Sequence, residues 1–507
     1  MIQTIDYFAI APPLVVALLA GVVLLLDAFL PHTAKVRTGL GLVSLAGLLV
    51  ALAFVVAQAG AGETLRTFCV PGGLATSGGV APCSFVVDHL TLVFSGLALV
   101  AGVVVVLLSM TELAGGGIPV GEWYFLLLCT LAGATTLPAS RDLIMLVVAL
   151  ELVSLPVFAL TALKRYDGRA SEAAVKLFLV SVVSTAIMLF GVSLLYGLTG
   201  AVHLSTLGEI LGGLSPGPSG VPLNDLPAVV TVGVVLVVAG FAFKIAAVPF
   251  HAWAADVYQG APIPVAALLS VISKAAGFAG LILVLLSALP SQAPTWAPII
   301  AIVSALTMTV GNLLAMRQRS AVRLLAWSSV AQSGYILAPL AMISGAGQRG
   351  LAVSASVAYL VFYAAMNLGA FAVVMLVSRS GARHDLDAYR GMAFRSPVLA
   401  LALAFSLICL AGLPPGLAGL FAKVVVFREI VTGGLGWLAI VMAVNTVIGL
   451  YYYVAWTAQL FAPAVAARES RAGARPATAG WMAVGVTLVV AVLFSAAPQL
   501  VLGITTL

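Results

Sequence analysis

Charge is what this sequence lacks most. Only 8% of its 507 residues are Asp, Glu, Lys or Arg, while 62% are hydrophobic; soluble domains carry about 25% charged residues. Such a chain cannot cover itself with a polar surface, which excludes a soluble protein and leaves a polytopic membrane protein. Cysteine is scarce too. Cys69, Cys83, Cys129 and Cys409 show no CxxC or iron–sulfur spacing, so no metal or cluster is expected on this chain. The first apolar run, 8–30, has no basic segment ahead of it and no small-residue cleavage pattern behind it, so it reads as a transmembrane helix and not as a removed signal. The net charge of +6 does not point to nucleic acid. The basic residues gather in short loops between apolar runs, where they set membrane orientation.

What the sequence has is apolar length. About 20 such residues span a bilayer as a helix, and fourteen stretches qualify: 8–30, 38–58, 86–110, 122–138, 142–162, 173–198, 227–249, 263–289, 297–316, 322–343, 351–377, 397–430, 435–461 and 480–503. The expected fold is therefore all-α with about 14 transmembrane helices. Alternate loops divide the basic residues fifteen to four. Lys35, Arg37, Lys164, Arg165, Arg169, Arg317, Arg319, Arg323, Arg379, Arg383, Arg390, Arg395, Arg468, Arg471 and Arg475 fall on one side, and Arg66, Arg141, Arg349 and Arg428 on the other. By the positive-inside rule the first set faces the cytoplasm and both termini face outward. The loop holding Cys69 and Cys83 then lies outside, where disulfides persist, and a bridge between them is expected. "GAGQRG" at 345–350 fits the GxGxxG pattern, but no strand precedes it, so a nucleotide site is not expected. The Arg-rich stretch 462–479 reads as a cytoplasmic linker.

Four basic residues fall inside helices: Lys176, Lys244, Lys274 and Lys423. Arginine outnumbers lysine 17 to 6 in the whole chain, yet all four are lysine. Lysine can lose its proton when desolvated, whereas arginine effectively cannot. A relay that needs a proton to come and go uses lysine. "ELVSLP" (151–156) and "KIAAVP" (244–249) each place an ionisable residue five positions before a proline. Proline removes a helical hydrogen bond and crowds the carbonyl four residues back, so Pro156 and Pro249 are expected to break their helices beside Glu151 and Lys244. "GLPPG" (412–416) is a stronger break at Pro414 and Pro415, with Lys423 about two turns on. A Glu151–Lys244 pair at about 5 Å attracts by about 3 kcal/mol at an effective dielectric near 20, enough to decide whether the amine keeps its proton.

Each of these residues also has a plainer reading. Lys176 can reach the membrane interface. Lys274 can partner a carboxylate of another subunit, and Glu151 with Lys244 can be a fixed pair. His251 and Asp256 can be a loop hydrogen-bonder and a helix cap instead of accessory members of a proton path. The run Tyr451, Tyr452 and Tyr453 reads as packing or interface anchoring.

Several stretches carry a family likeness: "ALELVSLP" (149–156), "EAAVKLFLVSVVSTAIMLFGVSLLYGLTG" (172–200), "VPFHAWAADVYQGAPIPVAALLSVISKAAGF" (248–278), "RLLAWSSVAQSGYIL" (323–337), "NLGAFAVV" (367–374) and "AGLPPGLAGLFAKVVVF" (411–427). Over most of residues 120–460 the chain resembles the antiporter-like N subunit of bacterial NADH:quinone oxidoreductase, respiratory complex I. The resemblance implies three leading helices (1–120), two inverted five-helix repeats with discontinuous helices (121–295 and 296–462), and a linker with a final span (463–507). An odd number of helices per repeat makes the inversion necessary.

The resemblance also implies roles. Glu151 would gate the path, Lys244 would pair with it, Lys274 would be the central relay and Lys423 the exit residue, while Lys176 matches a further family lysine. Protons would pass from cytoplasm to periplasm across the bacterial inner membrane, driven by electron transfer from NADH to quinone elsewhere. NADH, FMN, iron–sulfur clusters and quinone would belong to other subunits, with no cofactor and no nucleic acid on this chain. Its partners would be the lipid bilayer and other membrane-arm subunits, including the M-type antiporter-like subunit and small membrane subunits. The sequence departs from the family at Gln332, where histidine is common, at Arg323 for lysine and at Ala254 for proline. The M-type has glutamate where Lys423 stands, and the L-type continues into a long lateral helix. The alternatives are a subunit of a multi-subunit cation/proton antiporter and a structural spacer of the membrane arm.

Overall fold

Polar residues at the edges of the apolar runs start and stop the helices. In the computed structural model, residues 5–71, 81–164, 167–214, 227–342, 349–379, 384–463 and 478–506 are described. Most of "GAGQRG" and of the 462–479 linker lies outside them.

Among the described residues twenty α-helices follow one another. The first block is α1 (Ala11–Phe29), α2 (Ala34–Ala61), α3 (His89–Leu113), α4 (Val120–Thr136), α5 (Leu143–Ala162), α6 (Gly168–Thr199), α7 (Leu204–Leu211), α8 (Pro227–Lys244), α9 (Ala252–Gly260), α10 (Ile263–Leu268) and α11 (Lys274–Leu283). The second is α12 (Ala293–Ala315), α13 (Ala321–Leu337), α14 (Arg349–Ser378), α15 (Met392–Arg395), α16 (Pro397–Ala411), α17 (Leu417–Thr432), α18 (Gly436–Phe461), α19 (Thr478–Ala496) and α20 (Gln499–Ile504). Caps explain why some helices outrun their apolar cores. Thr33 accepts from the Val36 amide and Asp167 from the Arg169 amide, so α2 and α6 begin in polar turns that hydropathy alone omits.

Every apolar stretch is helical, and among the described residues eleven helical spans are long and apolar enough to cross a membrane unaided. The other three stretches are shorter or divided: α8, α13, and the α16–α17 pair. Two features were not anticipated. The loop between α2 and α3 is an antiparallel hairpin, β1 (Leu65–Cys69) with β2 (Cys83–Val87), in which Cys69 faces Cys83 and forms with it the expected disulfide. Helix α7 fills part of the 199–226 loop.

The helix breaks differ from one another. Pro156 lies inside α5, which runs on through it, so the break expected there is absent. One proline costs one backbone bond, and in lipid the remaining groups have no water to turn to, which holds the helix together. Helix α4 braces that turn: a Cβ on Gly133 would meet the Val153 nitrogen at 2.7 Å. At Pro249 the chain does leave the helix. Helix α8 stops at Lys244, Ala246 takes a positive φ of 56°, and the freed groups find protein partners. Ser333 Oγ donates to the Ile245 carbonyl at 2.7 Å, and the Val248 N–H donates to Thr307 Oγ1 at 2.9 Å. Helix α16 ends at Gly412 in the left-handed region (φ 82°), and Pro414–Pro415 separates it from α17.

Burial orders the bundle. In the most apolar 18-residue window of each, 94% of the residues are buried in the segment Ile263–Ala288 and 89% in helix α14, against 22% in α1. The outer helices present Phe29, Val447 and Ile440 outward, as lipid contact requires. The polar side chains Lys244, Lys274, Asn312, Ser329, Gln332, Asn367, Lys423 and Asn445 are buried in the interior, on outer and inner helices alike.

Candidate functional site

Helices α5, α6 and α8 build the first centre. Lys244 is the last residue of α8, where the negative end of the helix dipole favours a cation. Its Nζ lies 3.1 Å from Glu151 Oε1 and donates to Ser154 Oγ at 2.7 Å and Ser181 Oγ at 3.3 Å. Thr185 Oγ1 donates to the same Glu151 oxygen at 2.7 Å. The lysine is 5% exposed and the glutamate 22%, so the acid is the member nearer the outside. A cavity of about 20 Å³ touches Lys244, Ser154, Ser181, Trp253 and Ser273, room for about one water. It points from Lys244 toward the residue preceding Lys274.

Lys274 follows a π-helical segment, Leu269–Ser273. π-Bulges are frequent at functional sites. Its Nζ donates to the Ser329 carbonyl at 2.5 Å and to Ser329 Oγ at 2.6 Å, and Tyr363 donates to that hydroxyl at 2.8 Å. Among the described residues no carboxylate lies within ion-pair distance of Lys274 or Lys423. Lys423, on α17, reaches back across the break to the end of α16, donating to the Leu410 and Ala411 carbonyls at 3.2 and 2.6 Å. Two lysines therefore sit at the carbonyl ends of broken helices, one in each half of the chain.

The accessory candidates stand apart from this line. Lys176 is 44% exposed and pairs with Glu172 Oε1 at 2.7 Å and Asp256 Oδ2 at 3.2 Å. Arg323 binds Asp256 Oδ1 and Gln259 Oε1, both at 2.8 Å. Asp256 is thus a bridge between α6 and α13, not a helix cap. Partial burial pushes its carboxyl up, and the bonds from Arg323 and Lys176 outweigh that and hold it below the usual carboxylate range. The His251 ring packs 5.5 Å from that of Trp327.

A second set of polar groups was missed. Tyr453 is buried, and its hydroxyl meets Ser328 Oγ at 2.5 Å and accepts from Gln332 Nε2 at 3.3 Å. Tyr359 donates to Gln332 Oε1 at 2.6 Å, and Tyr452 donates to Asn312 Oδ1 at 2.9 Å. Tyr452 and Tyr453 are packed in the interior with their hydroxyls hydrogen-bonded, while Tyr451 is exposed as an anchor would be. The available signal was the polar density of "SSVAQS" (328–333) in a helix that has to be buried.

Broken membrane helices, with buried lysines at the breaks, define an antiporter-like membrane subunit. Residues 140–449 match the family described as NADH:quinone oxidoreductase/Mrp antiporter, TM. NADH-quinone oxidoreductase subunit N 2 of Streptomyces griseus subsp. griseus is 48% identical over 519 residues, spanning 99% of this chain and 93% of that relative. A chain of respiratory complex I from Thermus thermophilus superposes with a TM-score of 0.73 at 29% identity, covering 97% of this chain and 98% of that one. A chain of the Mrp complex from Dietzia sp. DQ12-45-1b shares the fold, with a TM-score of 0.81 at 22% identity over 99% and 97% of the two chains.

The chain belongs to the subunit N family of NADH-quinone oxidoreductase, antiporter-like membrane-arm subunits of a multi-subunit bacterial complex.

Proposed function

We propose that the chain translocates protons, with Glu151, Lys244, Lys274 and Lys423 as its relay. Protons enter from the cytoplasm near Lys244, pass through Lys274 and leave by Lys423 toward the periplasm. The driving energy comes from NADH oxidation by quinone in other subunits, which hold the flavin and iron–sulfur clusters. This chain takes no part in redox chemistry. In this reading both termini face the periplasm, in keeping with the basic loops, and neighbouring antiporter-like and small membrane subunits flank the two repeats.

The observation that carries the reading is the Lys244 centre. At the observed 3.1 Å the gross attraction of Glu151 for Lys244 is about 5 kcal/mol at an effective dielectric near 20. Removing such charges from water costs several kcal/mol each. The two terms are comparable, so a small withdrawal of the carboxylate tips the amine toward giving up its proton. The serine hydroxyls can stay hydrogen-bonded to the amine in either form, and the cavity beside Ser273 offers a water-sized next step.

The test is Lys244→Ala in the whole complex, measuring NADH-driven proton uptake into inverted membrane vesicles. The expected result is an assembled complex with retained uncoupled NADH oxidation and fewer protons moved per NADH. Undiminished pumping would refute the proposal, and neutral substitutions silent at all four charges would favour a structural spacer. Sodium-dependent exchange without NADH would favour the antiporter alternative suggested by the shared Mrp fold.

A further inference from the structure

A second cavity, of about 550 Å³, opens where α1 ends and α2 and α4 begin, and it shares no residue with the lysine centres. Its volume falls within the range of small-molecule sites, about 300–1,000 Å³. Asp27, His32, Arg37 and Glu122 form polar walls, and Leu24 lies on its apolar side.

Two of these side chains carry charge that nothing answers. Elsewhere beside the basic-rich loops, Asp167, Glu172 and Asp256 each pair with a lysine or an arginine. Asp27 has only His32, at 4.0 Å, and Glu122 has no cation within ion-pair distance among the described residues. Asp27 is only 16% exposed, and a buried charge is costly unless a counter-charge or hydrogen bonds meet it. It leans on the first turn of α4, where a Cβ on Gly121 would come within 2.5 Å of its Oδ2. That end of the helix dipole favours an anion, but it supplies no cation, and the cavity beside it is where one can enter. The opposite sign is present as well. Arg37 Nη1 donates to the Leu113 carbonyl at 3.1 Å, which fixes the guanidinium and leaves its other N–H groups for an anion.

The outer face of α1 continues the site into the membrane. Leu18, Val22, Leu25 and Phe29 are exposed at helical spacing, as one stripe along the helix. It runs beside the row of Leu24 and Ala28 that lines the cavity.

We propose that this cavity binds the headgroup of a phosphatidylethanolamine whose acyl chains lie along the α1 stripe. The ammonium donates to Asp27 and Glu122, and the phosphate accepts from Arg37. Other headgroups fit less well. Phosphatidylglycerol brings an anion without a cation to two carboxylates, and the quaternary ammonium of phosphatidylcholine has no N–H to donate. A basic segment of a neighbouring subunit would answer the carboxylates but leave Arg37 and the stripe unmatched. The site is independent of the lysine relay.

The test uses the whole complex in phosphatidylcholine nanodiscs that contain a small, constant fraction of a phosphatidylethanolamine probe. The probe carries a diazirine on one acyl chain near the glycerol, so its amine stays free. After illumination the labelled peptides are mapped by mass spectrometry, and labelling of residues 18–29 is read relative to the rest of the complex. Unlabelled phosphatidylethanolamine should compete that label away, and the same amount of phosphatidylglycerol should not. Asp27→Asn combined with Glu122→Gln should lower it about fivefold, the worth of one half-exposed charge pair. Equal competition by the two lipids overturns the proposal, as does labelling that the double variant leaves unchanged. Absence of label on 18–29, the result if a neighbouring subunit covers the cavity, overturns it too. If the double variant fails to assemble, the competition, which needs no variant, decides.

Discussion

Lys244, Lys274 and Lys423 hold the same functional group in three different settings. The first has a carboxylate and two serine hydroxyls, the second a serine hydroxyl and carbonyl, and the third two helix-end carbonyls. A fixed positive charge could occupy the Lys274 setting as an arginine; a group that must surrender its proton could not, because guanidinium stays charged. Lys274→Arg should therefore lower proton uptake per NADH to the level of Lys274→Met, while leaving the complex assembled. Normal pumping with arginine would mean that the charge alone matters. These lysines and Glu151 were legible in the sequence because charge inside an apolar run is expensive. The tyrosine and serine hydroxyls around them were not. Such residues also occur in membrane helices for packing, and only the arrangement of α13, α14 and α18 shows which of them meet.

At the scale of elements, the breaks decide where the lysines sit. The Pro249 and Pro414–Pro415 interruptions were visible as sequence, whereas continuity through Pro156 was not. A local pattern cannot show that α4 packs closely against the same turn. The hairpin and α7 were hidden for a related reason, since their stretches are neither long nor periodic enough to stand out from a polar loop. The α16–α17 break relies on close approach: a Cβ on Gly419 would run into the Cys409 carbonyl, whereas one on Gly485 would meet nothing within 4 Å. Overpacking of this kind costs about 1–3 kcal/mol. Gly419→Ala should lower the thermal unfolding temperature and yield of the assembled complex, and Gly485→Ala should not. Equal behaviour of the two variants would show that the break tolerates looser packing.

Taken whole, the molecule is apolar toward lipid and polar along its interior. Its membrane-spanning helices could be read because hydropathy alone marks them. The buried polar interior could be read only at its charged points. Two of its lysines lack a nearby carboxylate among the described residues, which suits the proposed alternation between protonation states more than it suits fixed ion pairs. The most direct measurement is nitrogen-15 solid-state NMR of the complex with labelled lysine, comparing the resting state with steady NADH turnover. The Lys274 signal is assigned by its disappearance in Lys274→Arg. This nitrogen is expected to change between ammonium and neutral amine when turnover begins. A nitrogen that keeps one form throughout turnover, in a complex that is pumping, would contradict it.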